Sequence, residues 1–198
     1  MVAEQQRDEL QARYVRAVSG AADVPVVLYQ RGAARLTEQT AAEAAALPNV
    51  VGIKDGVGDR EEMARIVQSV RALPGGEDFL LFNGLPTAEV SMPDYRRIGV
   101  ELYSSAAFAF VPEVATAYHR ALAQGDETLV STLLTEFFEP LVALRDETPG
   151  FAVSLVKAGV TLRGLNVGGV RAPLLDPEPA QLARLAELID KGLQVVEA

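Results

Sequence analysis

The chain contains no cysteine, which removes disulfides and thiolate sites from any account of its fold or chemistry and leaves the redox compartment open. Histidine occurs once, as His119, inside a helical stretch far in sequence from the other reactive candidates. A His/Cys metal site and a Ser-His-Asp triad are therefore both excluded, and proton chemistry falls to tyrosine, lysine and carboxylates. No apolar run approaches the ~20 residues of a membrane span. The opening MVAEQQRDELQARYVRAV is charged and helical in pattern, unlike a signal peptide, and a cytoplasmic location is expected. Clustered basic charge is missing too. A net charge of −9 argues against a nucleic-acid surface or an anionic membrane, leaving small molecules or other proteins as partners. The acidic runs, such as Glu61 and Glu62, read as solvated helix faces, and no carboxylate cluster suggests a divalent metal.

What is present is enough apolar sequence for a core: 49% of 198 residues, or one domain with room for a small appendage. Four apolar runs recur at a βα spacing: VPVVLYQ from Val24, NVVGIKD from Asn49, DFLLFNG from Asp78 and VELYSSA from Val100. Each is apolar on both sides and is followed by a helical pattern, which predicts parallel strands covered by helices. In DREEMARIVQSVRAL, Asp59 with Glu62 three residues on makes a capping-box-like start. Pro93, in SMPDYRRIG, interrupts another helical pattern. After the fourth run the sequence turns helical throughout: Pro112 opens one helix, Asp126 caps a second, a third runs from about Phe151 to Leu162, and PEPAQLARLAELIDKGLQVV closes the chain. RAPLLDPEP is the only long irregular link among these helices.

Catalytic groups in a parallel β/α layout lie at the C-terminal strand ends. Here those are Tyr29 and Gln30, Lys54 and Asp55, Asn83 and Gly84, and Tyr103, Ser104 and Ser105. Lysine occurs only as Lys54, Lys157 and Lys191, arginine supplying the other cations. An ammonium placed after Val50, Val51 and Ile53 is partly desolvated, which favours the neutral amine and makes Lys54 a nucleophile toward ketones. The competing reading is a surface lysine just past a strand. Tyr29, ending the preceding strand, is placed to shuttle protons near Lys54; a half-buried tyrosine with a satisfied hydroxyl is its alternative. The DGVGD loop lacks the spacing of a phosphate-binding loop and reads as a turn that lets backbone approach a ligand. Ser104 and Ser105 are candidates to hydrogen-bond a carboxylate or hydroxyl, or else small residues tapering a strand end.

Tyr29 at one strand end and GIKDGVGD at the next resemble the dihydrodipicolinate synthase and N-acetylneuraminate lyase superfamily of class I aldolase-like (β/α)8 barrels. LYQR, GIKDGVGD, GLPTAEV, YSSAAFAFVPE and VSLVKAG together look like the 5-dehydro-4-deoxyglucarate dehydratases within it. The resemblance implies an α/β TIM-barrel fold, present as roughly its C-terminal half. Residues 1–124 would carry strands five to eight and residues 125–198 a helical region packed on them. It further implies that Lys54 is the Schiff-base lysine and Tyr29 the proton relay, with Gly84 and Ser104 or Ser105 facing the substrate. No metal or organic cofactor is required. The implied reaction dehydrates and decarboxylates 5-dehydro-4-deoxyglucarate to 2,5-dioxopentanoate. Two alternatives stay open: a retro-aldolase for a 2-keto-3-deoxy sugar acid, and a catalytically inactive half-barrel with a binding or oligomer role. Four strands alone would expose two sheet edges and an apolar inner face, expected to include Val26, Leu28, Val51 and Ile53, so a homo-oligomer is anticipated.

Overall fold

The structure, a computed structural model, describes residues 2–197, with side chains from residue 9 onward. The chain forms two compact units that divide between Ser104 and Ser105.

The first unit alternates strand and helix: α1 (Val2–Ala21), β1 (Val26–Gln30), α2 (Glu38–Ala45), β2 (Val50–Asp55), α3 (Arg60–Arg71), β3 (Leu80–Asn83), α4 (Met92–Arg97) and β4 (Leu102–Tyr103). The four strands are parallel and ordered β1-β2-β3-β4, as the recurring apolar runs predict. The fourth is the exception in length: of VELYSSA only Leu102 and Tyr103 join the sheet. Helix starts follow the local chemistry. Thr37 Oγ1 accepts from the Thr40 amide at 3.2 Å, and Asp59 Oδ1 from that of Glu62 at 3.0 Å, each satisfying a donor that the first helical turn leaves orphaned. The Glu62 side chain turns instead to Arg65. Pro93 sits in the first turn of α4, after a 3₁₀ turn at Ala88–Ser91, where its missing N–H costs nothing.

Strand register decides which side chains share a face. Tyr29 pairs with Lys54, Lys54 with Phe82, and Phe82 with Leu102; one step back, Val27 pairs with Gly52, and Gly52 with Leu80. Because side chains alternate along a strand, these residues form one face, and Val27, Leu80 and Leu102 on it are exposed. Ile53 and Leu81 belong to the opposite face and are buried, as are Met63, Ile66 and Val70 of α3, Met92 and Tyr95 of α4, and Ala41 and Ala44 of α2. The expected inner face is therefore offset by one residue: the face that carries Lys54 holds Val27, Gly52 and Leu80, not Ile53. A break in register between Val26 and Val27, opposite Val50 and Gly52, leaves Val51 out of the pairing and obscures the alternation.

The second unit is helical: α5 (Pro112–Gln124), α6 (Glu127–Leu133), a π turn (Leu134–Phe138), α7 (Glu139–Asp146), α8 (Phe151–Leu162) and α9 (Pro179–Glu197). Asp126 Oδ1 accepts from the Leu129 amide at 3.0 Å, and Gly125 ends α5 at a φ of 72°, a conformation that favours glycine. The wide turn precedes Pro140, which lacks the N–H an α-helix would use there. It delivers Phe137 and Phe138 into the core, where Phe138 meets Tyr118 and Phe137 edge-on at 5.0 Å between ring centroids. Among the described residues no helix is long and apolar enough to cross a membrane.

Candidate active site

Lys54 and Tyr29 stand side by side because β1 and β2 place them in register. The Lys54 Nζ lies over the Tyr29 ring, 5.0 Å from its centroid, a cation–π distance. The Tyr29 hydroxyl donates to the Gly84 carbonyl at 3.3 Å and accepts from Arg31 Nη1 at 3.4 Å. Tyr29 is 44% exposed and Lys54 half-buried, so both are accessible from the open face of the sheet.

Two glycines make this pairing possible. A Cβ on Gly56 would fall 2.8 Å from both Cε2 and the hydroxyl oxygen of Tyr29. One on Gly84 would fall 2.6 Å from Lys54 Cε and 2.7 Å from its Cγ. Both separations are below what carbon atoms tolerate, so the tyrosine ring lies in a notch left by Gly56 and the lysine stem in one left by Gly84. Gly84 is fixed in turn: its amide donates to the Asp55 carbonyl at 2.6 Å. Gly84, expected to face the substrate, is buried against the lysine stem.

One residue further along each strand the side chain turns to the other face, and there Gln30, Asp55 and Asn83 are all buried polar groups. Asp55 Oδ1 accepts from Gln30 Nε2 at 2.8 Å and from the Val57 amide at 2.9 Å; its Oδ2 accepts from the Tyr95 hydroxyl and, at 3.4 Å, from the Gly58 amide. Gln30 Oε1 accepts from the Leu36 amide at 3.0 Å. Asn83 donates to the Ala88 carbonyl and Ser91 Oγ and accepts from the Leu85 amide. The face that carries Tyr29 and Lys54 thus rests on a satisfied polar layer that ties each strand end to the loop after it. Burial, and then the hydrogen bond to Asp55, pushes the Tyr95 hydroxyl far above its ordinary pKa. Burial and the nearby Glu89 charge do the same to Tyr103. The loop carrying Gly84 includes Thr87 at a φ of 53°, where a β-branched residue costs about 1–2 kcal/mol.

Of the sequence-predicted residues, Lys54, Tyr29 and Gly84 come together. Ser104 is exposed at the end of β4, its amide donating to the Asn83 carbonyl at 3.3 Å. Ser105 opens the second unit, where its Oγ accepts from the Phe108 amide at 3.1 Å. Arg31 and Tyr95 were not singled out from sequence, and Asp55 carried no assigned role. Polar residues recurring one position past Tyr29, Lys54 and Phe82 were the available signal for the buried layer.

The sequence profile of the dihydrodipicolinate synthetase family matches residues 4–191. The chain belongs to that family. Two curated relatives are probable 5-dehydro-4-deoxyglucarate dehydratases. One, from Streptomyces coelicolor, is 50% identical over 185 residues, covering 93% of this chain and 58% of the relative. The other, from Streptomyces griseus subsp. griseus, is 52% identical over 176 residues, covering 89% and 55%. The chain thus spans little more than half the length of the curated relatives it matches. Among solved structures, dihydrodipicolinate synthase from Oceanobacillus iheyensis superposes with a TM-score of 0.80 at 25% identity, covering 94% of this chain and 60% of that one. The fold is accordingly that of the (β/α)8 barrels of this family.

Proposed function

We propose that the chain carries the catalytic lysine and tyrosine of a Schiff-base lyase that dehydrates and decarboxylates 5-dehydro-4-deoxyglucarate to 2,5-dioxopentanoate. The observation that carries the reading is the pairing of Lys54 with Tyr29 at adjacent strand ends, in a chain about half identical to probable dehydratases of that substrate.

The neutral Lys54 amine adds to the C5 ketone and expels water, giving an iminium that acidifies C4. Tyr29 relays the C4 proton, and the C3 hydroxyl leaves as water. The new C3=C4 bond conjugates C2 with the iminium, so carbon dioxide departs from C1 with the bonding pair drawn into that sink. Tautomerisation of the resulting enol and hydrolysis of the imine release the product and the free lysine. Gly84 holds the lysine stem in place, and the exposed Ser104 hydroxyl is a contact for substrate oxygen. Carbon dioxide and 2,5-dioxopentanoate formed from 5-dehydro-4-deoxyglucarate would support the dehydratase. Cleavage of a 2-keto-3-deoxy sugar acid, without carbon dioxide, would favour the retro-aldolase.

The same reading makes β1 to β4 one half of an eight-stranded barrel, strands five to eight, closed only when four further strands pair with the free edges of β1 and β4. Val27, Leu80 and Leu102, at 43, 40 and 37% exposed, are the side chains such closure would cover. A second copy of the chain is one source of those strands, which is the form a homo-oligomer would take.

A further inference from the structure

We infer that Asp55 is a positioning residue for proton transfer: its buried carboxylate fixes the backbone on which the Tyr29 phenol lies, and so governs the step that Tyr29 performs rather than formation of the imine. This rests on Lys54 forming the imine and Tyr29 relaying the proton.

The Tyr29 hydroxyl is loosely held by its own hydrogen bonds: it donates to the Gly84 carbonyl at 3.3 Å and accepts from the exposed Arg31 at 3.4 Å. A half-exposed ring with only these bonds keeps its place by what it lies against, and that is Gly56. The three atoms nearest to a Cβ at Gly56 would be Cε2, the hydroxyl oxygen and Cζ of Tyr29, at 2.8, 2.8 and 3.1 Å. Wherever the Gly56 backbone moves, the reacting end of the phenol moves with it.

Asp55 is what fixes that backbone. Its side chain is fully buried; Oδ1 accepts the Val57 amide at 2.9 Å and Oδ2 the Gly58 amide at 3.4 Å. The Gly56 amide donates to the Gln30 carbonyl at 2.9 Å, so three successive amides of the loop are held. From behind, Gln30 Nε2 donates to Oδ1 at 2.8 Å and the Tyr95 hydroxyl to Oδ2. Four donors thus converge on two oxygens, which a carboxylate accepts and a carboxamide does not. Lys54 has a different support. Its side chain leaves the other face of β2, and its stem lies in the notch at Gly84. Gly84 is bonded to the Asp55 main-chain carbonyl, at 2.6 Å, so a change confined to the Asp55 side chain reaches the phenol through Gly56 and leaves the lysine notch in place.

The test separates the two steps with 2-oxobutanoate, a keto acid that forms an imine and has no hydroxyl to lose. Borohydride trapping, read by intact mass, reports the imine; deuterium uptake at C3 in D2O, read by NMR above the rate without protein, reports proton transfer beside it. Asp55→Asn keeps the volume but turns an NH2 toward two of the four donors. Because each oxygen carries one loop amide, either orientation releases one. Trapping should hold near the wild-type level while uptake falls roughly tenfold to a hundredfold, the scale of a displacement of about 1 Å. Gly56→Ala tests the same contact without touching the carboxylate: Gly56 is not in the left-handed region, a methyl there meets the phenol, and the same split is expected. Tyr29→Phe should slow uptake by ~10²–10⁴-fold, and Asp55→Asn added to it should slow uptake no further, since the group it positions is gone. Asn49→Ala, which loses side-chain bonds to the Ser19 and Ala22 carbonyls, is the stability control and should keep uptake. Unchanged uptake in Asp55→Asn or in Gly56→Ala would overturn the inference. So would trapping that falls as far as uptake, or a double variant showing the product of the two single losses. A wild type that traps nothing would remove the Lys54 reading, and trapping with no effect of Tyr29→Phe on uptake would remove the relay; either would take this inference with it, and both differ from a failure of Asp55 alone.

Discussion

Adding one methyl group at Gly84 tests whether the lysine is held by shape. In Gly84→Ala the new Cβ would lie 2.6 Å from Lys54 Cε and 2.9 Å from the Asp55 carbonyl oxygen. The lysine tip can swing aside, but the carbonyl belongs to β2 and already accepts the Gly84 amide. Relief therefore moves the β2 strand end, the loop after β3, or both. Overpacking of this kind costs about 1–3 kcal/mol, which for a chain of this size lowers the melting temperature by roughly 2–4 °C per kcal/mol. Chemistry should suffer more than stability, because a displacement of about 1 Å at a reacting atom can cost ~10²-fold in rate. The assay is the rate of borohydride-trapped adduct formation with a keto acid, measured well below the melting temperature and beside a thermal melt. Gly20→Ala is the control: a Cβ there meets nothing within 4 Å and alanine favours the helix, so both readouts should hold. Wild-type trapping and melting in Gly84→Ala would refute the claim that this glycine makes room for the lysine.

Tyr29→Phe should still form the trapped imine while dehydration slows by ~10²–10⁴-fold; near-normal turnover would reduce Tyr29 to packing. Asp55→Ala leaves the Gln30, Tyr95, Val57 and Gly58 donors without their acceptor and should destabilise the chain by about 3 kcal/mol or more in denaturant unfolding. Tyr95 sets an alkaline limit. Its folded pKa is raised, so the stability it confers is complete below the unfolded tyrosine value of about 10 and declines as pH rises above that. Tyr95→Phe should be less stable at neutral pH, yet lose less stability between neutral pH and pH ~11, when unfolding is followed by circular dichroism. On closure of the barrel, light scattering of the purified chain should give a mass above that of one copy, and fusion to four further βα units should raise dehydratase activity. A monodisperse, fully active single copy would contradict that.

The strands were legible because four apolar runs spaced as βα units have few other uses, and the helix starts at Asp59, Pro112 and Asp126 because Asp caps and a first-turn proline act locally. The inner face was misassigned for a physical reason. Strands apolar on both sides show no polar alternation, so Val50, Val51 and Ile53 look alike, and only register separates them. Parity from Lys54 would have marked Gly52 rather than Ile53. The Lys54 and Tyr29 pairing was visible because each ends its run as a reactive side chain. Arg31, Gly56 and Tyr95 were not, since their roles lie in contacts across loops and elements: the guanidinium on a phenol, a missing Cβ under a ring, and a hydroxyl on a carboxylate 40 residues away. The π turn before Pro140 carried no periodic signature beyond the proline itself.

The site at which a keto acid becomes covalently attached is the most direct test of Lys54. Wild-type chain incubated with 5-dehydro-4-deoxyglucarate and borohydride, digested and mapped by mass spectrometry, should carry the reduced adduct on the peptide containing Lys54, and Lys54→Ala should carry none. An adduct on Lys157 or Lys191, or one that persists undiminished in Lys54→Ala, would contradict the assignment of Lys54 as the imine-forming residue.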